Sequence, residues 1–149
     1  MAKALVFVLV PYSVGPANVS DQADRMLEQH RMPEDRGRGW YDYLCGGGPV
    51  FDDPVTEGGL PDKVKRSLHR HVCDASRLPP EPRPHALVTP DGAWHAGEAN
   101  IQGYWTERGR PKPGYHEANA AASASWPARY SDLVAAHPYC WVVAVWAHS

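Results

Sequence analysis

The sequence predicts an α+β fold: a single domain over residues 1–149, with one mostly antiparallel sheet of four or five strands, two or three helices on one face, and long Pro/Gly-rich loops. Three observations carry this prediction. Apolar, β-branched runs stand near both ends, Ala4 to Val10 (ALVFVLV) and Trp141 to Trp146 (WVVAVW). A turn signal, Pro90-Asp91-Gly92, separates two short strand-like segments. The 15 prolines and 13 glycines punctuate the chain heavily, so a few regular elements must be joined by stiff, irregular connections.

Taken in order, Ala4 to Val10 is continuous rather than alternating, the pattern of a strand covered on both faces. Pro11 ends it. Asn18 or Ser20 then caps a helix whose stripe is Val19, Ala23, Met26, Leu27 and His30, closed by Pro33. Trp40 to Cys45 is the second strand, with Trp40, Asp42 and Leu44 on one face and Tyr41, Tyr43 and Cys45 on the other. A second helix is expected from Pro61 to Val72, where Leu60, Val64, Leu68 and Val72 recur every fourth position. Pro79, Pro80, Pro82 and Pro84 make a polyproline-like spacer.

His85 to Thr89 and Ala93 to His95 form the arms of a hairpin about Pro90-Asp91-Gly92. His85 and His95 would then face each other across it. His116 to Ser125 is Ala-rich and reads as helical, with Pro127 interrupting. Ser125 caps a separate helix carrying Trp126, Tyr130, Leu133, Val134 and His137, and Pro138 ends it. The last strand follows.

Hydrophobic residues at 43% suffice for a real core in a chain of 149 residues. A net charge of −2 supplies no global field to attract nucleic acid or anionic lipid, and no apolar run approaches a membrane span. The opening run is short and leads into Pro11-Tyr12, so it reads as a buried strand and not as a signal peptide. Cys45, Cys73 and Cys140 are odd in number and widely spaced, the pattern of reduced thiols in a cytoplasm.

The densest stretch is Trp40 to Pro49 (WYDYLCGGGP). Its rings want a packed surface, whereas Gly46, Gly47 and Gly48 free the backbone and admit a close neighbour. With Ala86 to His95 (ALVTPDGAWH) and Ala136 to His148 (AHPYCWVVAVWAH), this stretch resembles a group of small phage and actinobacterial proteins of uncharacterised activity. Members of that group carry a Trp/Tyr-rich strand ending in Gly-Gly-Arg-Trp, a Thr-Pro-Asp-Gly-x-Trp hairpin and a terminal apolar strand ending near a His. Here Gly48-Pro49 stands where Arg-Trp is usual, and Val145-Trp146-Ala147-His148 where Asp-Cys-His is common. The resemblance implies a fold and a phage or mobile-element context, not a reaction.

Several constellations compete for function. Trp, Tyr and Arg anchor protein interfaces, so Trp40, Tyr41, Tyr43, Trp94, Tyr104 and Trp105, with Gly46 to Gly48, are the binding candidates. The bland alternative for each ring is that it plugs a gap in a loop-rich core. Asp42, His95 and His148 are the acid–base candidates, although no nucleophile elbow, phosphate loop or His-Glu-x-x-His motif occurs. Asp91 reads most simply as a turn residue. His69, His71 and Cys73 are an incomplete ligand set, so no metal is assigned, and no cofactor is implied. Arg36, Arg38, Arg108 and Arg110 interleave with rings as single-strand binders do. The expectation is a small cytoplasmic accessory or binding protein that contacts a host or phage macromolecule, with inhibition as one mode. A protein is the expected partner and nucleic acid the lesser one, with no membrane role. A small-molecule enzyme is the runner-up.

Overall fold

The computed structural model describes residues 3–31, 40–41, 43–45, 50–51, 71–99 and 110–148. The α+β class holds. The described elements are β1 (Lys3–Pro11), α1 (Val19–Glu28), β2 (Tyr43–Cys45), β3 (Val72–Asp74), β4 (Ala86–Val88), β5 (Trp94–Ala96), α2 (Tyr115–Ala135) and β6 (Cys140–His148).

The two apolar runs become neighbours at the centre of the sheet. β1 and β6 pair antiparallel from Lys3↔His148 to Pro11↔Cys140. On the other side of β1 lies β4, in parallel (Val6↔Ala86, Phe7↔Leu87, Val8↔Val88), and β5 pairs antiparallel with β4. The outer edge of β6 is shared: β2 takes its C-terminal part (Tyr43↔His148 to Cys45↔Trp146) and β3 its N-terminal part (Val72↔Val143 to Asp74↔Trp141). Six strands thus occupy five positions, and the sheet is mixed, because the β1–β4 ladder is parallel.

Alternation along β1 divides the core in two. Val6, Val8 and Val10 face α1, where Val19, Ala23, Met26 and Leu27 are buried against them. Leu5, Phe7 and Leu9 face α2 and meet Trp126 and Tyr130. The helices therefore lie on opposite faces, which corrects the one-face expectation. A strand that is apolar at every position has two faces to cover, and each helix covers one.

Three further expectations are corrected. Val72 and Cys73 lie in β3 and do not end a helix; residues 61–70 of that expected helix lie outside the described residues. The break at Pro127 does not occur, since α2 runs unbroken through it. Proline removes the donor to Ser123 O, but Ser123 is exposed and water can serve its carbonyl. The flanking turns are held from the side. Trp126 Nε1 donates to Pro84 O at 2.9 Å, and Tyr130 is buried one turn on. Arg129 Nη2 bonds both Ala122 O (3.0 Å) and Ala96 O (2.9 Å), tying the helix to β5. The strand expected from Trp40 narrows to Tyr43–Cys45, and Tyr41 forms an isolated parallel bridge with Arg31.

Candidate functional site

The hairpin signal Thr89-Pro90-Asp91-Gly92-Ala93 folds as its chemistry asks. Gly92 N–H donates to Thr89 O (2.8 Å), Thr89 N–H donates to Ala93 O (3.1 Å), and Gly92 sits at φ 86°, which suits only glycine. Asp91 Oδ1 accepts from the Thr89 hydroxyl and from Ala93 N–H. The Thr89 bond foremost holds the Asp91 carboxyl below the usual carboxylate range. Asp91 is thus a turn brace. His95 Nε2 lies 3.2 Å from Thr89 Oγ. Burial, then the charges of Arg129 and His137, pull the His95 imidazole below its ordinary value against the opposing pull of Asp91. His85 does not face His95. Leu87 pairs with His95, while His85 O accepts from Gly97 N–H and His85 Nδ1 accepts from Leu5 N–H (3.0 Å).

Three of the binding candidates do come together. Trp94 stacks on Trp40 (5.4 Å between centroids, 18°) and on Tyr41 (6.3 Å, 17°), and His30 tilts against it at 5.3 Å. His30 Nε2 donates to Gly92 O (2.6 Å), Gln29 Nε2 to the same oxygen (3.1 Å), and the Tyr41 hydroxyl to Leu27 O (3.0 Å). These rings fasten the hairpin tip to the end of α1. Near-parallel rings cover one another's faces, so the cluster is packing. Burial accordingly pushes the Tyr41 phenol up to about 12.

The acid–base candidates do not share a site where they can be compared. His95 and His148 are four residues along and three strands across from each other in the sheet register. At strand dimensions that is about 20 Å. Of the other predicted residues, Cys73 is buried in β3 and its Sγ donates to Asp74 O, while His71 precedes it in a turn. Among the described residues no three His, Cys, Asp or Glu side chains are grouped to hold a metal ion. Tyr43 is placed by its backbone opposite His148, and Arg110 is exposed. Arg36, Arg38, Asp42, Gly46, Gly47, Gly48, His69, Tyr104, Trp105 and Arg108 lie outside the described residues.

A different constellation stands at the opposite end of β6. Tyr139 precedes β6 with 76% of its surface exposed, one of two exposed large hydrophobic residues among those described. Tyr12 follows β1 and is tied to it by Tyr12 N–H to Tyr139 O (3.1 Å), which continues the β1–β6 ladder. Their rings meet at 6.4 Å and 70°, and Tyr12 meets Trp141 at 4.9 Å and 55°. The three rings are packed against one another, with Trp141 buried in the core, Tyr12 half-buried against it and Tyr139 outermost.

Asp74, which pairs with Trp141 across β3–β6, completes the corner. Its Oδ1 accepts the Tyr12 hydroxyl (2.5 Å), Ser76 N–H (2.9 Å) and the Ser76 hydroxyl (2.8 Å). Burial would raise the Asp74 carboxyl, but the Tyr12 and Ser76 bonds outweigh it and lower it from the ordinary value. Burial first, and then Asp74, push the Tyr12 phenol up to about 12. The Trp141 indole Nε1 is buried and makes no hydrogen bond. The sequence carried one trace of this corner, aromatic residues at alternate positions 139 and 141. Tyr12 and Asp74 are brought to it only by the topology.

The chain matches no family model, no curated protein and no solved structure. Among the described residues, no helix is long and apolar enough to cross a membrane.

Proposed function

We propose that this is a small accessory protein of phage or mobile-element type that acts by binding a host or phage macromolecule, with inhibition of that partner as its mode. The observation that carries the reading is the Tyr139 ring, exposed to solvent just before β6 and resting on Tyr12, whose hydroxyl binds the Asp74 carboxylate. Exposing a large ring forgoes burial, and tyrosine is a residue that anchors interfaces with little entropy to lose. The backbone bond between Tyr12 and Tyr139 preorganises the pair, which lowers the cost of binding. The resemblance of the three sequence segments to phage and actinobacterial proteins supports the context. The acid–base reading has less support, because His95 and His148 are far apart in the sheet and Asp91 is consumed by its turn.

The test is quantitative capture. Immobilised protein should retain one stoichiometric partner from a lysate of its host cell, and the Tyr139→Ala variant, equally folded, should lose it. Identical capture by the two proteins would refute the reading.

A further inference from the structure

The hairpin carries a chain of polar side chains that ends on a group with no role so far, the His95 imidazole. Thr89, 3% exposed, stands between Asp91 and His95. Its hydroxyl has one proton, and that proton goes to an oxygen: Asp91 Oδ1, with Ala93 O (3.4 Å) as the longer rival. Towards His95 Nε2, 3.2 Å away, Thr89 Oγ therefore accepts. The ring is fixed as the tautomer with its proton on Nε2, and an incoming proton must add at Nδ1. We propose that His95 is an acid-sensing switch: neutral, it lets Arg129 pin α2 to β5 through Ala96 O; charged, it drives Arg129 off that oxygen and loosens the hairpin from α2. The inference stands apart from the binding reading above.

The surroundings of His95 disfavour a charge there. Trp94 and Ala96 pack into the core on the α1 side, so His95 between them faces the α2 side. Ala96 O takes Arg129 Nη2 at 2.9 Å, which brings a cation to the residue next to His95. Among the described residues that guanidinium has no carboxylate partner. Its other bonds go to Ala122 O (3.0 Å) and the Ser125 hydroxyl (2.9 Å), and it lies over the Trp126 ring at 5.1 Å. Arg129 and His137 thus act on His95 from the α2 side, and Asp91 from the turn. Burial foremost lowers the imidazole from 6.5, and Arg129 and His137 add to it against the pull of Asp91. A lowered basic group stays neutral in the fold where the unfolded chain is already charged. Its stabilisation is complete above 6.5 and is lost as pH falls towards the folded value.

The experiment follows the folded protein by NMR from about pH 8 to about pH 5, the range over which an imidazole changes charge. It reads the His95 ring signals and the Arg129 Nε–H signal, whose protection against solvent exchange reports the grip of α2 on the hairpin. As pH falls, Arg129 Nε–H should lose protection with the same midpoint as His95, and that midpoint should lie below 6.5. This comparison needs no variant. His95→Gln, which keeps a donor for Thr89 but cannot take up charge, should hold Arg129 protected across the range. His137→Gln should keep the transition and raise its midpoint, because one of the groups opposing the charge is gone. His95 titrating without a response at Arg129 would overturn the inference. So would an Arg129 transition that persists in His95→Gln or vanishes in His137→Gln.

Discussion

The Tyr12 hydroxyl donates to Asp74 Oδ1 at 2.5 Å, joining residues 62 positions apart in the sequence. That bond closes the end of the sheet where β1, β3 and β6 meet. It fixes the angle of Tyr12 against Trp141 and holds Asp74 in its charged form.

Removing that donor should be felt at acid pH. The Asp74 carboxyl is lowered in the folded protein, through Tyr12 and Ser76 bonds that outweigh burial. A depressed carboxyl stabilises the fold above its unfolded value of 3.8, and the stabilisation is lost as pH falls through the folded value. Tyr12→Phe should cost about 1 kcal/mol at neutral pH, the net worth of a partly exposed hydrogen bond to a charge. It should also flatten the acid limb of stability against pH. Urea denaturation of the two proteins across the acid range measures both.

Two buried tyrosines should respond oppositely to loss of the hydroxyl. Tyr41 donates to Leu27 O at 3.0 Å in a buried setting, whereas the buried Tyr130 hydroxyl has no partner. Tyr41→Phe should therefore destabilise by about 1 kcal/mol, the net worth of a buried hydrogen bond, with Leu27 O keeping the one from His30 N–H. Tyr130→Phe should be neutral or stabilising by up to about 1 kcal/mol, because it removes an unsatisfied polar group. Chemical denaturation midpoints at neutral pH decide the matter.

At alkaline pH both residues, with Tyr12, act in one direction. Burial foremost pushes all three phenols from 10.0 up to about 12. Each raised group contributes stability in full below the unfolded value and loses it as pH rises through the folded one. Stability should fall between pH 10 and about 12. Tyrosinate absorbance should show three phenols ionising together with unfolding, and Tyr130→Phe should reduce the steepness.

Gly97 should not accept a side chain. A Cβ there would stand 2.8 Å from Trp126 Cδ1 and 2.9 Å from Cγ, and that indole is anchored to Pro84 O and lies under the Arg129 guanidinium. Gly97→Ala should cost about 1–3 kcal/mol, the range for forced overpacking. The near-ultraviolet signal of Trp126 should change with it. A variant as stable as the parent would show that α2 slides freely on the hairpin.

The sheet was more legible in the sequence than the layers around it. The unbroken apolar run of β1 implies two covered faces, and a helix lies on each of them. Pro127 looked like a break because local propensity has no view of Trp126 and Tyr130, whose burial on one face carries the helix through it. Val72 fitted a helical stripe, yet its pairing with Val143 places it in a strand, where tertiary partners override a four-residue period. The rings of Trp40, Tyr41 and Trp94 stack on one another and brace the hairpin, whereas Tyr139, a lone tyrosine before a strand, has no sequence pattern. Asp74 and Tyr12 could be paired only by the crossing of β1, β3 and β6.

The most direct test of the binding claim is site-specific photo-crosslinking in host lysate. A photoreactive phenylalanine analogue at position 139 should yield one discrete adduct with a macromolecule, and the same analogue at exposed position 132 on α2 should yield none. Absence of an adduct from position 139, or the same products from both positions, would contradict the account.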